Sequence, residues 1–464
     1  MMTEQFDAIV LGAGQGGGPL AGAFAQAGRR TLLIEQAHAG GTCVNIGCTP
    51  TKTMVASARI AALTARASEY GVQTGPVHVQ LAAVHRRTQS IVESFRRGSE
   101  RGLAANGVQL CLGHGCFTAP RRLVVRDTAG VPFREVTADL VVISTGLRPA
   151  RPAIPGLDDV PALDSTSLLA LTELPAHLMI LGGGYVGLEF AQMFRRFGSA
   201  VSVVDVAPRL LPREDPEIAA CMTDILRADG IDLYSGAQAR RVSRAPDGTI
   251  ELAVGIGTAE PDVAIRGSHL LLAAGRRPDT EALGLALAGV ATDAHGFIRT
   301  DSALATSASG VYAIGDVKGG PAFTHVAYDD YRILRDRLLH AGTRTTTDRV
   351  VPYTMFTDPP LGRIGLTETE ARMHGRRIKV ASMPMTHVAR AIEMAETRGL
   401  MKVVVDEESG QLLGAAILGV EGGELAVVLQ VAMAGRLPYT ALRDMIFPHP
   451  TLAESLNNLC ALLD

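Results

Sequence analysis

Phe6-Asp7-Ala8-Ile9-Val10-Leu11-Gly12-Ala13-Gly14-Gln15-Gly16-Gly17 reads as an apolar strand running into a glycine turn. The pattern predicts a helix from about Pro19 to Ala27. Thr31-Leu32-Leu33-Ile34-Glu35 then reads as a second strand ending in an acid. This is G-x-G-x-x-G in a strand–turn–helix–strand setting. The first glycine permits the tight turn, the second lets backbone approach a pyrophosphate, and the third lets the helix pack on the strand. The helix N-terminus faces the phosphate charge. Glu35 stands roughly 20 residues on, where a carboxylate accepts hydrogen bonds from ribose hydroxyls. Gly12, Gly14, Gly17 and Glu35 are therefore candidate dinucleotide contacts.

The pattern returns. His177 to Leu181 is a strand, Gly182-Gly183-Gly184-Tyr185-Val186-Gly187 a second turn, Leu188 to Phe197 a helix, and Val201-Ser202-Val203-Val204-Asp205 a strand ending in an acid. One such fingerprint is compatible with an ordinary turn in a doubly wound fold. Two, each with its acid, predict two dinucleotide sites, the second held by Gly182, Gly184, Gly187 and Asp205. A carboxylate there accepts from a ribose 2′-hydroxyl and repels a 2′-phosphate, so Asp205 favours NADH over NADPH. Arg209 is close enough in sequence to soften that preference.

Gly40-Gly41-Thr42-Cys43-Val44-Asn45-Ile46-Gly47-Cys48-Thr49-Pro50-Thr51-Lys52 follows the first nucleotide unit. A thiol pair placed there has an electron source within reach. Cysteine is a nucleophile only as thiolate, and positive charge or a helix N-terminus lowers its pKa. Thr49-Pro50 looks like a helix start. In a regular helix, residues five apart point about 140° from each other, so joining Cys43 to Cys48 needs distorted backbone. Gly47 and Pro50 can supply it. A strained, accessible disulfide is the labile, catalytic kind; the alternative is two buried thiols that never pair. Two nucleotide sites and one thiol pair suggest a relay from nicotinamide to flavin to disulfide.

The chain has 464 residues, enough for about three domains, and a net charge of −3. No basic face argues for nucleic acid, and the absence of tryptophan removes a common base-stacking surface. The pairs Arg86-Arg87, Arg96-Arg97 and Arg121-Arg122 read as solvated faces. Six cysteines do not make a disulfide scaffold and fit a reducing compartment. No signal peptide precedes the first strand, and apolar runs such as Leu425 to Ala434 are too short to span a bilayer. A soluble cytoplasmic protein is expected.

Further along, Leu140 to Gly146 is a buried strand ending in Thr145-Gly146, and Leu270 to Gly275 ends similarly. Val311 to Asp316 carries an acid at its tip. From Val350 the composition shifts; strands near Lys402 to Val405 and Leu412 to Leu418, with a helix near Glu424 to Ala434, suggest a third, α+β domain. Cys111 and Cys116 repeat the thiol spacing but lie in a strand-like stretch and read as inert core.

Together these residues make the chain resemble the FAD-dependent pyridine nucleotide-disulfide oxidoreductases, which include glutathione reductase, dihydrolipoyl dehydrogenase and mercuric reductase. The resemblance covers essentially the whole chain. It implies an α/β fold with two Rossmann-like dinucleotide-binding domains, for FAD and NAD(P), and a C-terminal α+β dimerisation domain. The implied divisions are 1–147 and 276–346 for FAD, 148–275 for NAD(P) and 347–464 for dimerisation. It also implies a homodimer whose active site is completed by the C-terminus of the partner subunit.

Carried over, Cys48 matches the charge-transfer thiol beside the flavin and Cys43 the interchange thiol that attacks substrate. Lys52 matches the lysine near flavin N5 and Glu189 its partner. Tyr185 falls where a residue covers the flavin until nicotinamide arrives. Glu35 and Gly115 match adenosine-end contacts, and Asp316 the ribityl contact. Phe323-Thr324-His325-Val326 resembles the helix start aimed at the flavin ring, where the dipole favours anionic, reduced flavin. Gly41, Thr42, Thr145 and Gly146 complete the implied FAD set, and Gly275 the NAD(P) set. Phe447-Pro448-His449-Pro450-Thr451-Leu452-Ala453-Glu454 resembles the family's His-Pro-Thr motif. Histidine titrates near neutrality and can pass a proton between thiols; Glu454 would fix its tautomer. His449-Pro450 is a candidate cis bond. No metal ligand set is expected.

Thr42 to Lys52 is closer to mercuric reductases than to glutathione reductase. Those enzymes carry a C-terminal cysteine pair and a tyrosine at the His449 position, whereas this chain has Cys460 alone and keeps the histidine. Phe323 to Ile333 resembles a bacterial mercuric-reductase-like branch linked to hypothiocyanous acid, reactive chlorine or copper. The expected activity is NAD(P)H-driven reduction of a small disulfide, oxidant or metal acceptor. Dihydrolipoyl dehydrogenase is the alternative enzyme, supported by Asp205 and the His449–Glu454 pair. A non-catalytic flavoprotein sensor is the alternative of another class.

Overall fold

The computed structural model describes residues 2–257, 262–347 and 349–464. The chain divides into two compact units. One is built from Met1–Thr53, Ala83–Ala150 and Gly275–Arg349, the other from Met54–Ala82, Arg151–Ala274 and Val350–Asp464.

The first unit begins with β1 (Thr3–Leu11), α1 (Gly17–Gln26) and β2 (Thr31–Glu35). β1 pairs in parallel with β2, Ala8 opposite Thr31 and Leu11 opposite Ile34. On its other side β1 pairs in parallel with Pro132–Ile143, Ala8 opposite Leu140. A strand buried on both faces needs a near-continuous apolar run, which Ala8 to Leu11 supplies; all four are buried. The sheet has seven strands, and Val311–Ala313 joins it beside Pro132–Ile143. The sequence therefore closes this sheet from both ends of a long excursion. α1 starts two residues earlier than expected, because Gly17 already packs as its first residue.

α2 (Gly41–Ile46) and α3 (Cys48–Ala65) carry the thiols, and α4 (Leu81–Ala105) follows. α3 starts at Cys48, one residue before the expected Thr49-Pro50 boundary. Pro50 is then its third residue, inside the first turn where a missing N–H costs nothing.

In the second unit, five parallel strands run in the order Asp232–Ser235, Ala200–Asp205, His177–Leu181, His269–Leu272, Ala162–Leu163. A three-stranded antiparallel sheet spans Ala237–Arg244, Ile250–Ile256 and Val263–Gly267. A second five-stranded sheet orders Tyr353–Met355, Leu361–Gly365, Leu412–Leu418, Leu400–Asp406, Ile378–Pro384. The helix Gly422–Ala434 buries Leu425 and Leu429 in the apolar cluster formed with the last sheet's Val403 and Ile417. No described helix is long and apolar enough to cross a membrane.

Candidate active site

In the first glycine turn, a Cβ on Gly12 would stand 2.4 Å from the Ser144 carbonyl oxygen, and one on Gly17 2.1 Å from the Gly12 carbonyl oxygen. Neither position admits another residue. A Cβ on Gly14 would meet nothing within 4 Å: it looks into open space, as a cradle for phosphate must. The second turn repeats this. Gly182 would meet the Ala273 carbonyl oxygen at 2.4 Å and Gly187 the Gly182 carbonyl oxygen at 2.0 Å, while Gly184 meets nothing. The acids clamp the turns. Glu35 accepts from Ala13 N at 2.7 Å and Ala37 N at 2.9 Å. Asp205 accepts from Gly183 N, and from Ala207 N at 2.7 Å. Both turns thus fit a dinucleotide pyrophosphate. Arg209 donates to the carbonyls of Pro212 (3.1 Å) and Glu214 (3.2 Å), so its guanidinium is engaged by its own loop.

Other expected FAD contacts gather in the first unit. Gly115 lies on His114–Ala119, where a Cβ would strike Leu11 at 2.6 Å. Thr145 donates to the Asp279 carbonyl at 2.9 Å, and Gly146 (φ +71°) accepts from Asp279 N. Asp316 lies 3.4 Å from Arg276; burial pushes its carboxyl up, and Arg276 opposes that. Gly275 (φ +114°) accepts from Ala150 N and belongs to this first unit.

The thiols sit at a break between two helices. Cys43 is inside α2 and Cys48 begins α3. Gly47 makes the break, with φ −132° and ψ −113°; a Cβ there would stand 2.9 Å from the Thr42 carbonyl oxygen. Cys43 is half-buried and Cys48 exposed, both as free thiols. Cys48 Sγ lies 3.3 Å from Thr324 Oγ1. Thr324 is the first residue of the helix Thr324–His340, with Phe323 at the N-cap position. Two helix N-termini therefore meet at one sulfur, and each favours negative charge there. The Cys48 thiol is lowered to about 6, first by a hydrogen bond from Cys43, against desolvation, and further by Thr324 and Lys52. The Cys43 thiol is pushed far up, because it donates to Cys48 and is itself desolvated. One proton is thus shared unequally: Cys48 carries the charge and Cys43 the hydrogen.

In the second unit, His449 Nδ1 lies 2.8 and 3.1 Å from the Glu454 carboxylate oxygens. The exposed ring keeps Nε2 outward, and the His449-Pro450 bond is cis. Glu189 lies on the helix Tyr185–Phe197, where it accepts from Phe356 N at 2.7 Å. Tyr185, its first residue, is exposed.

Three residues escaped the sequence reading. Gln192, one turn after Glu189, is doubly bonded to the Asp358 backbone. Asp358 precedes a second cis proline and binds Arg59 and Arg196. Arg96 was expected in a solvated face; it is half-buried and donates to Asn45, between the thiols. Arg86, Arg87, Arg97 and Arg122 are exposed as expected. Asn45, a poor helix former between Val44 and Ile46 in the thiol segment, was the available signal. Among the described residues no cluster could hold a metal ion.

The sequence matches the pyridine nucleotide-disulphide oxidoreductase family over residues 6–330 and that family's dimerisation domain over residues 351–460. It is 39% identical to the probable pyridine nucleotide-disulfide oxidoreductase RclA of Escherichia coli (strain K12), covering 99% of this chain and 100% of that protein. The copper(II) complex of that HOCl-induced flavoprotein disulfide reductase superposes with a TM-score of 0.90 at 38% identity, over the whole of both chains. A mercuric reductase of Streptomyces lividans is 35% identical over 97% of this chain and 94% of its own. A dihydrolipoyl dehydrogenase of Chlamydia muridarum is 34% identical over 98% and 96%.

Proposed function

The chain belongs to the pyridine nucleotide-disulphide oxidoreductase family, as a flavoprotein disulfide reductase using FAD and NAD(P)H; from that premise we propose that it reduces a small oxidant, disulfide or metal acceptor through Cys43 and Cys48. The observation that carries this reading is the placement of Cys48 Sγ, 3.3 Å from Thr324 Oγ1 and in hydrogen-bond reach of the Cys43 thiol, where two helices begin. The 1–147 and 276–346 segments would form the FAD domain, 148–275 the NAD(P) domain and 347–464 the dimerisation domain. Gly12, Gly14, Gly17, Glu35, Gly41, Thr42, Lys52, Gly115, Thr145, Gly146, Asp316, Phe323 and Thr324 would hold FAD. Gly182, Gly184, Tyr185, Gly187, Asp205 and Gly275 would receive the nicotinamide cofactor, NADH in preference.

Bound FAD supplies the coupling between a two-electron hydride donor and thiol chemistry. The chain supplies the rest. Once reduced, Cys43 passes its proton to the His449 imidazole and attacks one sulfur of a disulfide acceptor as thiolate, forming a mixed disulfide and releasing one thiolate. His449, oriented by Glu454 and presented by the partner subunit of a homodimer, protonates that leaving group. The Cys48 thiolate then attacks the Cys43 sulfur. That step re-forms the Cys43–Cys48 bond and frees the second half of the acceptor. Lys52 keeps the charge balance near Cys48. Such a relay belongs in a reducing compartment, the cytoplasm.

The test is steady-state NADH oxidation by the FAD-loaded protein with hypothiocyanous acid, mercuric ion, glutathione disulfide and lipoamide. Fast turnover with a small oxidant or metal and almost none with lipoamide is expected. Lipoamide turnover far above the others would make the protein a dihydrolipoyl dehydrogenase. Acceptor reduction that persists unchanged in Cys48→Ser would sink the thiol relay altogether.

A further inference from the structure

α2 has six residues, too few to hold itself as a helix, yet it carries Cys43. Its fastening is the Asn45 side chain. The Asn45 amide nitrogen donates to the carbonyls of Ala39 at 3.0 Å and Gly41 at 2.9 Å. Its amide oxygen accepts from Arg96 Nε at 2.7 Å. Arg96 stands on α4, a 25-residue helix outside the thiol segment. The neighbouring Arg97 is exposed, so Arg96 alone of that pair turns inward. An arginine Nε–H lies in a rigid plane and fixes its acceptor in direction as well as distance. The chain of bonds from α4 to Arg96, Asn45 and the Gly40-Gly41 turn therefore sets where Cys43 stands.

We propose that Arg96, acting through Asn45, is a positioning residue that holds the Cys43 thiol against Cys48 so that the pair closes and opens without displacing α2. The inference rests on the reading of Cys43 and Cys48 as the redox pair. Closure forms one S–S bond as the two thiols give up two protons and two electrons to an oxidant. A segment fastened in place keeps the two sulfurs at high effective concentration. Released, Cys43 samples positions from which the bond cannot form, and the dithiol gains.

The experiment uses FAD-loaded wild type and Arg96→Met, which keeps an apolar stem but has no donor. Each is equilibrated in glutathione buffers, in which glutathione disulfide takes the two electrons and becomes two thiols. The reaction is quenched, and Cys43 and Cys48 are counted by alkylation and mass spectrometry. The equilibrium constant for disulfide formation is expected to fall roughly tenfold, about 30 mV for this two-electron couple. The fall is expected to be the same at low and high salt, because a fixed hydrogen bond is involved rather than a screened charge. Asn45→Ala is expected to match it, and the double variant to add nothing. Arg96→Ala carries the same expectation should the methionine variant fold poorly.

An equilibrium constant equal to wild type, even with a lowered Tm, overturns the inference, as does a difference that vanishes at high salt or additive single effects. A wild-type pair that never closes in any buffer is a separate result: it overturns the redox-pair reading itself.

Discussion

The two glycine turns repeat one another through the acid and then part. Both lock their outer glycines against carbonyl oxygens, leave the middle glycine facing open space, and clamp the turn with a carboxylate. After Glu35 the chain folds back over the first turn. Gly40 N donates to the Ala13 carbonyl at 2.9 Å, Gln15 donates to the Gly40 carbonyl at 3.2 Å, and a Cβ on Gly41 would stand 2.6 Å from Gly14 Cα. After Asp205 the chain returns to the second turn by a side chain: a Cβ on Gly183 would stand 2.6 Å from Leu210 Cδ2, and among the described residues no backbone hydrogen bond joins that return to the turn. Val206 is 73% exposed. The same motif is roofed by backbone in one place and covered by one side chain, and so more open, in the other. A roofed turn suits a cofactor that stays through many cycles; an open one suits a nucleotide that must leave after each. The thiols follow directly on the roof, so on the proposed reading the resident cofactor and the redox pair are fixed by one stretch of chain.

The sharpest way to break this comparison is to fill each cradle. Gly14→Val and Gly184→Val both place methyl groups in open space, at a cost of about 1–3 kcal/mol against bound pyrophosphate. Gly14→Val is expected to purify with less than roughly a tenth of its FAD, because the roof leaves no room to shift. Gly184→Val is expected to keep its FAD, with KM for NADH raised roughly tenfold or more. Flavin absorbance of the purified proteins reads the first effect and initial rates the second. Equal FAD loss in both would erase the distinction.

Asp205→Asn sharpens the open side. The amide keeps one acceptor and loses the charge that repels a 2′-phosphate. The NADH-to-NADPH ratio of kcat/KM should drop roughly tenfold, the worth of one charge-assisted hydrogen bond. A ratio that does not move would assign nucleotide choice to another residue.

The smallest effect probes the roofed side by pH. In the reduced protein, Cys48 alkylation should be half-maximal near pH 6, against an ordinary value of 9.0. The sign follows from the lowered pKa: the thiolate persists down to about pH 6 and is lost below it. Cys43→Ala removes the largest lowering cause, so the midpoint should move up. A wild-type midpoint near 9 would remove the unequal sharing of the proton.

The glycines and acids were legible in the sequence because their physics is local: a turn, a close approach, a charge at a strand end. The thiol helix was legible to within one residue at its start. Arg96 was not, since a paired arginine on a long amphipathic helix reads as solvent-facing until its partner is known. Asp358 and Gln192 were hidden for the same reason: their meaning lies in a contact across more than a hundred and sixty positions. The antiparallel strand Ala237–Arg244 also escaped, because its apolar face of Ala237, Ala239 and Val242 is interrupted by a bulge between Ala239 and Arg241 that breaks the alternation.

Val311–Ala313 completes the first sheet beside Pro132–Ile143. On a ribosome adding about 5–20 residues per second, that last strand emerges on the order of ten seconds after its neighbour. For that interval the nascent chain presents an unfinished sheet edge to the cell, while the five parallel strands of the second unit are all made within it. Birth order thus leaves an interval in which that edge is open to pairing with another chain.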